Sequence, residues 1–126
     1  MTPTPFPPAA PPPPGRRVAL GRDGEDRAAA WYVAHGYQIV ERNWRSRLGE
    51  VDLVCARNNV LVFCEVKARR TDHHGAPAEA VTRTKQLRLR RLAAEYLDHH
   101  TCGGHDVRFD VVAILGPTLS VIEGAF

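Results

Sequence analysis

Apolar residues in this chain are concentrated in five short stretches and in two longer stretches with a helical period. Three short stretches, Glu50–Ala56, Val60–Ala68 and Asp106–Leu115, are dense in Val, Leu, Ile and Phe, which is typical of half-buried or fully buried β-strands. Weaker segments at Tyr37–Trp44 and Leu119–Ile122 predict two further strands. The chain is therefore expected to build a sheet.

Two segments predict helices. The first, Asp23–His35, starts with acidic residues, continues through an Ala-rich run and precedes Gly36, a residue that often ends helices. The second follows Pro77, which is favourable in a first helical turn, and Thr82 is an alternative N-cap there. Its apolar positions recur at helical spacing: Leu89, Leu92, Ala93, Tyr96 and Leu97.

The elements follow the order αβββαββ. A hairpin followed by a crossover helix indicates a mixed central sheet with flanking helices, so we expect an α/β fold. Residues 1–16 are rich in proline and are predicted to form a disordered tail. Residues 17–126 then form a single domain.

Two of the predicted strands carry acidic residues whose relative positions follow from the turn between them. Asparagine tolerates positive φ, so residues 58–59 (Asn–Asn) can form a two-residue hairpin turn. This turn places Asp52 opposite Glu65 and Glu50 opposite Lys67, all on one face of the sheet. Directly opposed Cβ atoms lie roughly 4.5–5.5 Å apart, so the two carboxylates should repel each other.

A positive charge must offset this repulsion. Lys67 supplies one, and a divalent cation such as Mg²⁺ supplies more, because carboxylate oxygens are ligands that Mg²⁺ prefers. A bound metal activates water for hydrolysis, and Lys67 can orient that water or stabilise developing charge. Glu25, on the first helix, is a fourth candidate. The alternative is a structural Asp–Glu–Lys cluster at the edge of a sheet.

Composition excludes some classes of protein. No apolar run approaches the ~18 residues that a membrane-spanning helix needs, and the N-terminal segment lacks the basic start and apolar core of a signal peptide. Cys55, Cys64 and Cys102 cannot form a complete set of disulfides, and the first two should be buried on the face opposite the acids. A reducing, cytoplasmic location is expected.

Basic residues are clustered although the net charge is only +3. Between Glu79 and Glu95 the charged residues are all basic, which suits a polyanionic partner, although Arg-rich helices also serve solubility. Lys85 and Gln86 continue the inward stripe of the second helix, and either point toward the acids or emerge at the rim. The candidate nucleic-acid-binding residues are Arg45, Arg47, Arg69, Arg70, Arg83, Lys85, Gln86 and Arg88.

The acidic strands resemble a known signature. The segments Gly49–Asp52 and Phe63–Lys67 are similar to the motif of the PD-(D/E)xK nuclease superfamily. Over residues 20–115 the chain resembles the bacterial YraN-type (UPF0102-like) endonuclease family, which is distantly related to archaeal Holliday-junction resolvases. The shared residues are Gly24, Glu25, Ala28, Gly36, Tyr37, Asn43, Gly49, Glu50, Asp52, Glu65, Val66, Lys67, Arg69, Gly75 and Lys85.

The resemblance implies a restriction-endonuclease-like core with a defined set of roles. Asp52 and Glu65 would be metal ligands, with the carbonyl of Val66 as a third. Lys67 would be the catalytic lysine, and Glu25 would help to place the metal or the water. Gln86 would correspond to a polar residue that some superfamily members carry on the following helix. Asp52 follows a valine where the signature has proline.

These features together predict an Mg²⁺- or Mn²⁺-dependent endodeoxyribonuclease that cuts DNA, in particular branched or structured DNA. Cutting two strands together calls for a homodimer. One alternative is a non-catalytic nucleic-acid-binding domain that keeps the nuclease fold. Another is an interaction adaptor whose Pro-rich tail docks into a groove on a partner protein.

Overall fold

The computed structural model describes residues 19–69, 81–100 and 105–126, with side chains in the first helix described from Asp23 onward. The predicted tail at residues 1–16, Arg70 and Pro77 lie outside the described residues. The elements are α1 (Ala19–Ala34), β1 (Gln38–Ser46), β2 (Gly49–Arg57), β3 (Val60–Arg69), α2 (Arg83–His99), β4 (Asp106–Leu115) and β5 (Thr118–Ile122). This order confirms the prediction.

The five strands form one mixed sheet in the order β1-β2-β3-β4-β5. Strands β3 and β4 are parallel, and the other neighbouring pairs are antiparallel. The parallel pair requires a crossover connection, and α2 lies within it. The fold is thus a mixed α/β structure consistent with a restriction-endonuclease-like core, as predicted.

The core has two layers because α1 and α2 pack on opposite faces of the sheet. Tyr96 of α2 packs with Phe63 and Leu61 of β3, whereas Tyr32 of α1 packs with Val62 and Cys64 of the same strand. Alternate residues of β3 thus enter different layers. Both described cysteines, Cys55 and Cys64, are free and buried in the α1 layer, as expected.

Both helices begin at different residues from those predicted first. Helix α1 starts at Ala19, so the acidic residues that suggested an N-terminus lie in its interior. Helix α2 starts at Arg83, and the alternative N-cap is confirmed because the Thr82 hydroxyl accepts a hydrogen bond from the Lys85 N–H at 3.3 Å.

The hairpin register is confirmed only near the turn. Asn58 has a φ of 52°, and the predicted pairing holds from Arg57–Val60 to Leu53–Cys64. The ladder ends there, so the predicted pairs Asp52–Glu65 and Glu50–Lys67 are wrong as backbone partners. The reason is local: the Asp52 carboxylate accepts the Val66 N–H at 2.8 Å, and a side chain thereby replaces the next ladder bond.

Candidate active site

A cleft of about 350 Å³ lies where β2 and β3 separate. Helix α1, both strands and helix α2 contribute to its walls. It is lined by Glu25, Glu50, Asp52, Glu65, Lys85, Arg88, Leu89 and Leu92. The structure therefore brings together three of the four predicted catalytic residues, and it adds Glu50.

Three carboxylates form the tightest part of the cleft. Oxygen atoms of Glu25, Glu50 and Asp52 all lie within 4.8 Å of one another. Glu50 and Asp52 are two positions apart on β2, so their side chains can share a face. That spacing was the signal in the sequence for Glu50, which was noted on this face but not assigned to the site.

Glu25 reaches the cluster because its helix lies unusually close to the sheet. A Cβ atom on the preceding residue, Gly24, would lie 2.9 Å from the Cβ of Ala68 on β3 and 3.5 Å from Cδ1 of Ile114 on β4. Glycine thus permits a contact that any larger residue would obstruct. The two adjacent residues therefore have separate roles: Gly24 allows α1 to lie close to the sheet, and Glu25 supplies the carboxylate.

Burial and mutual repulsion dominate the electrostatics of the acids. Burial, followed by the negative charge of Glu65, raises the pKa of Asp52 to about 8, although the Val66 N–H acts in the opposite direction. Burial also raises the pKa of Glu25, and a hydrogen bond from the side chain of Asn43 opposes this shift. The ionised cluster is strained, and either a proton or a cation relieves the strain.

Two cationic side chains already contact the acids. The ammonium of Lys67 lies 3.3 Å from Oε1 of Glu65, and Nε of Arg45 lies 3.1 Å from Oε2 of Glu50. Lys67 also adjoins Lys85 of α2, and this contact lowers the pKa of Lys85. Lys67 therefore lies between Glu65, an acid of the cleft, and Lys85, a cation of the cleft.

The donor set suits a hard divalent cation. Carboxylate oxygens from separate elements converge within reach of one ion, and Mg²⁺ and Mn²⁺ prefer such ligands. The closest three oxygens belong to Glu25, Glu50 and Asp52, while Glu65 lines the cleft beside them. The Val66 N–H donates to Asp52, and a role for the Val66 carbonyl as a ligand stays a prediction.

The predicted nucleic-acid-binding residues that the structure describes fall into three groups. Lys85 and Arg88 line the cleft, whereas Gln86 donates its Nε2 to the Val81 carbonyl at 3.1 Å and so braces the start of the helix. Outside the cleft, Arg45, Arg47 and Arg83 are exposed and Arg69 is half-buried. Arg70 lies outside the described residues.

Arg88 is held in place by the turn between β1 and β2. Gly49 has a φ of +142°, a conformation that favours glycine, and a Cβ there would lie 3.2 Å from Cδ of Arg88. The aliphatic part of Arg88 thus packs on the backbone of the turn. The packing keeps the guanidinium group beside the cleft.

A second polar cluster lies in the α1 layer and was not singled out from the sequence. Asp110 is fully buried and accepts hydrogen bonds from the Tyr32 hydroxyl at 2.7 Å and from the Gly124 N–H at 3.0 Å. Nε and Nη2 of Arg108 each donate to it at 2.9 Å. Its charge and lone pairs are therefore well satisfied, as expected of a structural carboxylate.

No helix in the described ranges combines the length and apolar character that crossing a membrane requires.

Comparison with known proteins places the chain in a family. Residues 24–114 match the family model described as "Uncharacterised protein family UPF0102". A UPF0102 protein of Rhodococcus opacus is 54% identical over 98 residues, covering 78% of this chain and 83% of the relative. A UPF0102 protein of Moorella thermoacetica is 46% identical over 116 residues, covering 87% and 97%. The matched region holds all four predicted catalytic residues, and the chain belongs to the UPF0102 family.

Proposed function

We propose that this protein is a metal-dependent nuclease that hydrolyses phosphodiester bonds in DNA, acting in the cytoplasm and using Mg²⁺ or Mn²⁺. The observation that carries the proposal is the convergence of Glu25, Glu50 and Asp52, from two separate elements, in a cleft that α2 also lines with Lys85 and Arg88. An acidic wall can hold a cation, and a basic wall can hold a phosphate. A nuclease needs both within one small volume.

The acids and Lys67 have complementary roles in this proposal. Glu25, Glu50, Asp52 and Glu65 supply oxygens for a cation, which when bound lowers the pKa of water and offsets charge on a phosphate oxygen. The Lys67 ammonium lies 3.3 Å from Oε1 of Glu65, a residue that lines the cleft, so it is held beside the cleft rather than free in solvent. It can orient the attacking water and stabilise the charge that develops on the phosphate.

The basic wall supports a nucleic acid as the substrate. Lys85 and Arg88 of α2 line the same cleft as the acids, and Arg83 begins the same helix. Such side chains bind the phosphate backbone without reading bases, so binding should depend strongly on salt and weakly on sequence. Cleavage of branched DNA on two strands would require two copies of the chain in a homodimer.

The test is cleavage of linear, nicked, flapped and four-way DNA by the purified protein with Mg²⁺ or Mn²⁺. Lys67→Ala should lower cleavage by at least about a hundredfold, a typical effect of losing a catalytic proton-transfer or charge-stabilising group. It should leave DNA affinity within a few-fold of wild type. Arg91→Ala is the matched control because Arg91 is an exposed residue of α2 that does not line the cleft.

The outcomes separate catalysis from binding. Equal cleavage by wild type and Lys67→Ala on every substrate would contradict the proposed site. Binding by both proteins without metal-dependent cleavage by either would favour the non-catalytic DNA-binding alternative. Neither binding nor cleavage would reject nucleic acid as the partner.

A further inference from the structure

The turn between β1 and β2 presents an apolar side chain among cations. Leu48 is 41% exposed and follows the exposed Arg47, while the Arg45 side chain is 66% exposed. A tight turn needs no exposed leucine for its own geometry, since polar residues and glycine suit such positions better. Leu48 thus forms an apolar tip of the turn beside two cations, Arg45 and Arg47.

The tip is held rigidly. The Ser46 hydroxyl accepts a hydrogen bond from the Leu48 N–H at 3.0 Å, which fixes the turn internally. Gly49 lies against the aliphatic part of Arg88, which fixes the turn against α2. A turn whose backbone is held in this way loses little conformational freedom on binding, which favours its use as a contact.

The tip also lies next to the proposed catalytic cleft. Glu50, one of the three clustered acids, comes two residues after Leu48 and pairs with Arg45 at 3.1 Å. Arg88 contacts the turn and lines the cleft at the same time. Nucleic acid bound with a phosphate in the cleft would therefore pass over the tip.

We propose that Leu48 is a wedge that inserts beside an unstacked base where a DNA duplex is interrupted, at a nick, a flap or a branch point. Arg45 and Arg47 bind the flanking phosphates. Apolar side chains that separate base steps must offset the lost stacking, and this loss is smallest where stacking is already broken. The inference rests on the proposed nuclease function and assigns its preferred substrate class.

The chemistry of the tip favours nucleic acid over a lipid surface. Interfacial membrane binding relies on a broad apolar face, usually along a whole amphipathic helix. Here a single leucine follows two arginines, Arg45 and Arg47, so the apolar surface is one side chain wide and lies beside cations, which suits one base step of a nucleic acid better than an acyl layer.

Binding assays in a Lys67→Ala background, in which DNA stays intact, test the wedge. The probes are a linear duplex and the same duplex carrying a flap or a four-way branch, with 2-aminopurine at the discontinuity. Leu48→Ala should weaken binding to branched DNA about tenfold, abolish the rise in 2-aminopurine fluorescence and leave linear-duplex affinity unchanged. Leu48→Met should retain most of both signals. Leu87→Ala, which truncates a leucine of α2 that is 49% exposed, is the matched control.

Three results would overturn the wedge. Leu48→Ala could behave like Leu87→Ala on branched DNA, or it could weaken linear and branched binding equally. It could also change association with phosphatidylglycerol vesicles and not with branched DNA. In each case, cleavage by the wild-type protein that is lost in Lys67→Ala would still support the nuclease proposal without the wedge. Absence of cleavage on all substrates would instead reject the nuclease, whatever Leu48 does.

Discussion

Two aspartates of the sheet, Asp110 and Asp52, have opposite electrostatic surroundings. Asp110 is fully buried, yet Arg108, Tyr32 and a backbone N–H supply donors to both of its oxygens. Asp52 is partly exposed, yet its charged neighbours include three acids, and the Val66 N–H donates to its carboxylate. Greater burial therefore does not mean greater electrostatic strain, because the available partners decide the outcome.

The difference separates a structural carboxylate from one suited to a cation. A neutralised network stabilises the fold, and a ligand would only disrupt it. A cluster of like charges destabilises the fold until a proton or a metal arrives. The α1 layer around Asp110 and the cleft around Asp52 should thus respond in opposite ways to the same isosteric substitution.

The largest expected effect is that of Asp110→Asn. The substitution removes the negative charge opposite Arg108 and leaves that buried network incompletely paired. We expect a loss of about 3 kcal/mol or more in the free energy of unfolding, as for other broken buried ion pairs. Chemical denaturation measures it. Asp106→Asn, an exposed acid on the same strand, should stay within about 0.5 kcal/mol of wild type.

Asp52→Asn should act in the opposite direction, and its effect should depend on pH. The pKa of Asp52 is raised from 3.8 to about 8 in the folded protein. The folded state therefore favours the protonated carboxyl, and the stability that this adds is complete below pH 4 and is lost as pH rises through 8. In the absence of metal the substitution should therefore raise Tm by several degrees at pH 9 and by much less at pH 5. A destabilising effect at pH 9 would contradict the strained-cluster interpretation.

The same variant tests for the cation. Mg²⁺ should stabilise the wild-type protein, by about 2.7 kcal/mol at one hundred times its Kd. It should have little effect on the Tm of Asp52→Asn. Equal stabilisation of both proteins by Mg²⁺ would show that the ion binds elsewhere.

A smaller effect is expected for Gly24→Ala. The new Cβ would lie 2.9 Å from the Cβ of Ala68, so α1 must move away from β3, at a cost of about 1–3 kcal/mol. Because the shift also withdraws Glu25, the stabilisation by Mg²⁺ should fall. Ala68→Gly removes the opposing atom and should restore part of both losses. If the double variant behaves as the sum of the single ones, this contact does not set the helix depth.

Sequence reasoning identified much of the fold because the strands of this protein have strong local signals. The Asn58 turn predicted the hairpin register correctly from Arg57–Val60 to Leu53–Cys64, and the bounds of β4 were predicted as observed. Asp52, Glu65 and Lys67 were predicted as site residues because charged residues in apolar strands are unusual. These features depend on neighbours in the chain or across one turn.

The remaining features depend on contacts between distant segments. The β2–β3 ladder ends early because the Asp52 side chain accepts a hydrogen bond from the Val66 N–H. No rule for pairing strands anticipates a side chain in place of a backbone carbonyl. The Asp110 network joins residues from α1, β4 and the C-terminal segment, whose meeting is set by the whole topology. Glu50 could be predicted from its two-residue spacing to Asp52, but its approach to Glu25 depends on how closely α1 packs against the sheet.

The hydrogen bond from Val66 to Asp52 makes one backbone amide a reporter on the cleft. Its acceptor is a titrating group, unlike the carbonyl acceptors of an ordinary ladder, so its NMR chemical shift and hydrogen-exchange rate should follow the charge state of Asp52. A single resonance, observed without any substitution or label in the cleft, would then read out protons and metal ions competing for the same carboxylate.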